Sequence, residues 1–168
     1  MIAHPTEGVF GLNCRPDDAA AVLRVLEIKD RDPLQGLLLI GASLDQFDGW
    51  IDLPPNTPDL RGSAERPVTW IVPATEAVPL WIRGRHDSVA IRIVSHTIAA
   101  GLCRNAGMPL VSTSANISGR TPARTAYVLR NQFRELVDFI VPGRCGPARG
   151  PSEIRDLSSG QIVRASGR

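Results

Sequence analysis

The chain is almost without lysine, poor in aromatic residues, and free of the compact signatures that usually announce a nucleotide or metal site. Lys29 is the only lysine in a Lys+Arg total of 19. Aromatic residues make up 5% of the sequence, and no RNA-stacking motif accompanies them, which weighs against a single-strand reader built on base stacking. The three cysteines, Cys14, Cys103 and Cys145, are widely spaced and form neither a disulfide framework nor a metal pattern. His4, His86 and His96 are scattered, so a structural zinc site is not expected. No apolar run approaches the ~20 residues of a membrane span. Glu7 interrupts an N-terminus without a basic segment, so no secretory leader is expected. There is no G-x-x-x-x-G-K-[ST], no G-x-G-x-x-G after a strand, no G-x-S-x-G elbow and no H-E-x-x-H. A net charge of +2 is too small to argue for nucleic acid. These absences leave a cytoplasmic protein with reduced thiols, folded as a single domain over residues 1–168.

What is present is ordinary globular composition, 43% hydrophobic and 21% charged, broken by 14 prolines and 15 glycines into short elements. Asp17 can cap a helix running to about Lys29, with Ala19, Val22, Leu23 and Leu26 on one face. Leu37–Ile40 reads as a buried strand, Ser43–Phe47 as a short helix, and Asp52–Arg66 as a loop. Val68–Val72 reads as a strand ending at Pro73. Ser88–Val94 alternates, placing Val89, Ile91 and Ile93 on one face and Ala90, Arg92 and Val94 on the other. Ser95 is placed to cap a helix to about Ala106. Pro109–Thr113 is a strand, Thr125 opens a helix through Phe133, and Val137–Val141 is a strand. Two more strands lie near Ile154 and Val163, joined by a turn at Ser158-Ser159-Gly160. This irregular mixture predicts an α/β or α+β fold, an open twisted mixed sheet with flanking helices.

Five segments carry the chemistry. The richest is Pro109-Leu110-Val111-Ser112-Thr113-Ser114-Ala115-Asn116-Ile117-Ser118-Gly119, an apolar strand that turns into small hydroxyl and amide side chains. Such a strand end can present N–H, hydroxyl and carboxamide groups to an anion; an ordinary polar turn is the alternative. Pro5-Thr6-Glu7-Gly8-Val9-Phe10-Gly11-Leu12 offers the Thr6 hydroxyl near two glycines, or simply a strand and turn. Lys29-Asp30-Arg31 sets two cations just past a helix end. They can project to one side of an extended chain or merely suit the helix dipole. A lone lysine among arginines is either compositional chance or a compact point charge for a small oxyanion. Arg92 interrupts an apolar strand; it either faces solvent or an internal salt-bridge partner, the ordinary alternatives, or reaches an anionic ligand through a cleft, since a buried charge requires a partner. The tail, Pro151-Ser152-Glu153-Ile154-Arg155-Asp156 and then Arg164, repeats the hydroxyl-plus-arginine combination.

In this order the five segments resemble the YrdC/TsaC family of threonylcarbamoyl-AMP synthases, in its short bacterial form, over nearly the whole chain. The hydroxyl segment and Lys29-x-Arg31 are the most specific parts. The resemblance implies a YrdC-like sheet around a wide basic cavity. It implies a nucleotidyltransferase making L-threonylcarbamoyladenylate and pyrophosphate from L-threonine, bicarbonate and ATP, with Mg2+ accompanying ATP. The product would pass to downstream tRNA t6A transferase proteins for the t6A37 modification. It implies that Thr6, Arg92, Ser114 and Ser152 bind threonine. Lys29 and Arg31 would hold bicarbonate or the ATP phosphates as the catalytic pair. Thr69, Ser112, Asn116 and Arg164 would complete the ATP site, and no metal would be held by protein ligands alone. Gln35 stands where the family has a second lysine, and Ala64-Glu65-Arg66 replaces a Trp-Pro-Gly; Arg66 or another arginine is a candidate to restore the charge. A carbamoyl-adenylate domain of a larger carbamoyltransferase would carry cysteine-rich modules, which this sequence lacks. An RNA-binding or ribosome-maturation protein, with tRNA in a basic cavity, is the alternative from another class. A weakly active relative of the synthases is another.

Overall fold

The structure is a computed structural model that describes residues 1–117, 119–133 and 135–165. Among them nine strands build one mixed sheet: β1 (Ile2–Pro5), β2 (Phe10–Cys14), β3 (Leu38–Gly41), β4 (Val68–Pro73), β5 (Ser88–Ile93), β6 (Leu110–Ser114), β7 (Phe139–Ile140), β8 (Glu153–Asp156) and β9 (Ile162–Arg164). Their spatial order is β7-β1-β2-β6-β3-β5-β4-β8-β9. β1–β7, β3–β5 and β4–β8 run parallel and the other pairs antiparallel. The helices are α1 (Ala19–Lys29), α2 (Leu80–Arg83), α3 (Thr97–Ala106) and α4 (Ala126–Phe133).

Because side chains alternate along a strand, the register sorts them onto two faces. Gly11 lies opposite Ser114, Asn13 opposite Ser112, Ser112 opposite Leu38, Leu38 opposite Ala90, and Ala90 opposite Ile71. This polar-spotted face includes Arg92, which is paired with Ile40. The other face carries Leu39, Val72, Val89, Ile91 and Val111 into the main core, where α1 contributes Val22, Val25 and Leu26. A second cluster packs α4, through Leu129 and Phe133, against Phe10 and Leu12. α3 covers only one end of the polar-spotted face, with Ala99, Ala100 and Cys103 over Ile40 and Leu110. The uncovered remainder is the floor of the site.

Three local expectations change. The cap of α1 is Asp18, whose carboxylate accepts from Ala21 N at 3.0 Å. Asp17 instead forms an exposed ion pair with Arg15. Leu23 is 49% exposed while Val25 is buried, since the sequence holds two overlapping apolar stripes and the packing partner selects one. Ser95 does not cap α3. His96 occupies that position without a side-chain cap bond, and Glu7, distant in sequence, takes the N–H groups of Ser95 and His96 at 2.8 and 3.1 Å. The helix end is satisfied by tertiary structure in place of a local hydroxyl. α2 was not visible to periodicity because it is only one turn long.

Candidate active site

A cavity of about 450 Å³ opens on the polar-spotted face. Ser112 and Ser114 of β6, Leu38 of β3, Ala90 and Arg92 of β5, and Thr69 and Ile71 of β4 form its floor. All ten candidate residues line it: Thr6, Lys29, Arg31, Thr69, Arg92, Ser112, Ser114, Asn116, Ser152 and Arg164. They come from seven separate stretches of chain, and the sheet register brings them together. Ser118 of the hydroxyl segment lies outside the described residues.

Lys29 and Arg31 reach the cavity by a turn, where an extended exit from α1 was expected. Asp30 adopts the left-handed conformation at φ 45°, and the N–H groups of Asp30 and Arg31 bond back to Glu27 and Leu26. The reversal closes the helix and leaves both cations lining the same hollow. The Lys29 ammonium donates to Ser114 O at 2.9 Å, Asn116 O at 2.8 Å and Asn116 Oδ1 at 2.6 Å. All three of its hydrogens therefore meet oxygens of the hydroxyl segment. The lysine pins that loop as well as charging the cavity. Burial, and then the neighbouring Arg31 guanidinium, pull its pKa down to about 8.

The Thr6–Val9 turn is closed by Thr6 N and Thr6 Oγ1, which donate to Val9 O at 3.1 and 2.7 Å. It is held from outside by Gly146 N to Thr6 O and Ala148 N to Glu7 O, both 2.9 Å. Gly8 permits this approach, since a Cβ there would lie 2.6 Å from Gly150 O. Arg92 is buried and faces Glu7, Nη2 to Oε2, at 3.8 Å. Burial raises the Glu7 carboxyl, but Arg92 and the N–H donors of the α3 start more than offset it, and its pKa falls below the usual value. At the opposite wall Thr69 and Ser152 hydroxyls meet at 2.7 Å, and Arg164 Nη2 donates to Ser152 O at 2.9 Å. Burial, then repulsion from Arg92 and Arg31, lowers the Arg164 pKa.

Among the described residues four cations line the cavity and no carboxylate does. No cluster of His, Cys, Asp or Glu suited to a metal exists among the described residues. This donor set does not fit a resident metal ion; it fits anions. Gln35 lines the cavity, whereas Ala64, Glu65 and Arg66 do not. The charge expected of Arg66 is thus absent from the lining, where Arg164 supplies a guanidinium. Sequence reasoning missed the role of Glu7 as the partner of Arg92, and it missed His86 in the lining. Glu7 had a signal, standing beside Thr6 in a motif; His86 had none. No helix of the described residues is long and apolar enough to cross a membrane.

Comparison with known proteins agrees with this fold. The profile of the Sua5/YciO/YrdC family, described as "Telomere recombination", matches residues 1–166. The chain is similar to a threonylcarbamoyl-AMP synthase of Nitrosococcus oceani, 47% identical over 98% of this chain and 90% of that protein. A threonylcarbamoyl-AMP synthase of Xanthomonas euvesicatoria is 44% identical with the same coverage. Among solved structures, P. abyssi Sua5 complexed with L-threonine superposes with a TM-score of 0.88 at 29% identity, covering 99% of this chain and 50% of that one. E. coli YciO shares the fold, with a TM-score of 0.81 at 22% identity over 98% of this chain and 82% of its own.

Proposed function

From the premise that this chain belongs to the Sua5/YciO/YrdC family, we propose that it is an L-threonylcarbamoyladenylate synthase whose substrates meet in the cavity above β3–β6. The observation that carries this reading is the convergence of Lys29, Arg31, Arg92 and Arg164 with a row of hydroxyls in a hollow lined by no carboxylate among the described residues. The reaction gathers a threonine carboxylate, bicarbonate and a triphosphate, and all are anions. Their mutual repulsion is the main obstacle to bringing them together.

In this reading Arg92 grips the threonine carboxylate through its planar fork, and Thr6, Ser114 and Ser152 orient the amine and hydroxyl. Lys29 and Arg31 hold bicarbonate and the phosphates, and Thr69, Ser112, Asn116 and Arg164 complete the nucleotide site. The threonine amine adds to bicarbonate and water leaves, giving the carbamate. A carbamate oxygen then attacks the α-phosphorus of ATP, forming the mixed anhydride as the bond to pyrophosphate breaks. No side-chain nucleophile is required; the protein supplies placement and fixed positive charge. Magnesium would accompany ATP as part of the substrate, its ligands phosphate oxygens and water, since the cavity lining offers no carboxylate among the described residues. The product then serves tRNA t6A modification in the hands of downstream transferase proteins, in the cytoplasm.

The test is pyrophosphate release from ATP and magnesium by purified protein. Release should require both threonine and bicarbonate, and Lys29→Ala should lower it roughly 10²- to 10³-fold, as expected for losing a positioned transition-state charge. Wild type and Lys29→Ala equally inert would refute the proposal.

A further inference from the structure

Among the four cavity cations, Arg92 alone has a carboxylate within ion-pair distance among the described residues. Lys29 donates to neutral oxygens and Arg164 to the Ser152 carbonyl. Arg31 forms no ion pair within 4.0 Å among the described residues, and its Nε has no partner. Behind Arg92 sits Glu7, 2% exposed and excluded from the lining. Its Oε1 is saturated by Ser95 N, Ser95 Oγ and His96 N, at 2.8, 3.3 and 3.1 Å. Among the described residues its Oε2 makes no hydrogen bond and lies 3.8 Å from Nη2 of the guanidinium, whose Nε is also without a partner. At 3.8 Å the pair is an electrostatic contact and not a hydrogen bond. Glu7 thus offsets the charge of Arg92 without consuming the N–H groups that a ligand would use.

We propose that Glu7 is a specificity-determining residue that sorts the anions of the cavity, making Arg92 a pole for a monoanionic carboxylate and leaving dianionic phosphate groups to Lys29, Arg31 and Arg164. A buried negative charge behind the guanidinium repels each added charge on the ligand. A carboxylate, with one charge, still gains two N–H donors. A phosphoryl dianion meets the same donors and twice the repulsion. The sorting matters because the substrates otherwise compete: without it ATP phosphates or released pyrophosphate would occupy the threonine position. The inference rests on the synthase reading above and adds to it a role for a residue that never touches substrate.

The experiment compares L-threonine with its aminophosphonate analogue, (1-amino-2-hydroxypropyl)phosphonic acid, by calorimetric titration above the second phosphonate ionisation. Wild type should bind threonine at least 10-fold more tightly than the phosphonate. In Glu7→Gln, which keeps an oxygen acceptor for the α3 N–H groups, that ratio should fall at least 10-fold, and pyrophosphate should become a competitive inhibitor against threonine. Equal binding of both molecules by wild type would overturn the inference by itself, whether or not the variant folds. So would a folded Glu7→Gln with an unchanged ratio, the result expected if Glu7 only supports α3. Wild type that binds neither molecule would instead overturn the synthase reading.

Discussion

Lys29 shows how one side chain serves two masters. Its ammonium is bound by three loop oxygens, yet burial and Arg31 hold its pKa down to about 8. A lysine with a folded pKa below the unfolded value favours the neutral form on folding. The unfolded chain then binds more protons between pH 8 and the ordinary lysine range, so this group makes stability rise with pH across that window. Ligand binding has the opposite sign. An anion needs the charged lysine, so affinity for pyrophosphate should hold below pH 8 and fall by up to about tenfold per pH unit above it. Calorimetry across that range, in buffers of different ionisation enthalpy, should show proton uptake on binding; a flat affinity would disprove the coupling. Arg92→Lys keeps the charge but loses the fork. It should raise the KM for threonine roughly tenfold or more, leaving the KM for ATP little changed.

At the scale of elements, the site depends on how α1 starts and how the Thr6–Val9 turn is held. Asp18→Ala removes the bond to Ala21 N and should cost about 1 kcal/mol. Asp17→Ala removes only an exposed ion pair and should cost well under that. Urea unfolding of the two variants distinguishes them, and equal effects would contradict the cap assignment. Gly8→Ala sets a methyl against Gly150 O, next to the bonds from Gly146 and Ala148 that hold the turn, so a shift of the turn that relieves the clash strains them. Weaker threonine binding with a lower Tm is the expected result. A Gly8→Ala protein with wild-type threonine affinity would show that the turn does not position the ligand.

For the whole molecule, four cations line a shared hollow; burial first, and then repulsion from Arg92 and Arg31, lowers the pKa of Arg164. Any polyanion that fills the cavity relieves this and binds only the folded state. Pyrophosphate at 100 times its Kd should add about 2.7 kcal/mol and raise Tm on the order of 5–10 °C. Sodium chloride at equal ionic strength should not reproduce that rise. If it does, the effect is general screening and not a site.

Most strands were legible in the sequence because their apolar runs and alternation are local properties. β3, β4, β5 and β6 fall within a residue or two of expectation. The chemistry-bearing residues were legible as types and motifs: a lone lysine, an arginine in an apolar strand, a hydroxyl-rich strand end. What the residues could not say by themselves is which groups meet. The pairing of Glu7 with Arg92, 85 positions apart along the chain, the capture of the Lys29 ammonium by Ser114 and Asn116, and the capping of α3 from outside are all long-range. Pattern and propensity act over a few residues, whereas the strand order that joins β2 to β6 and β6 to β3 is settled only when the whole sheet buries its apolar face.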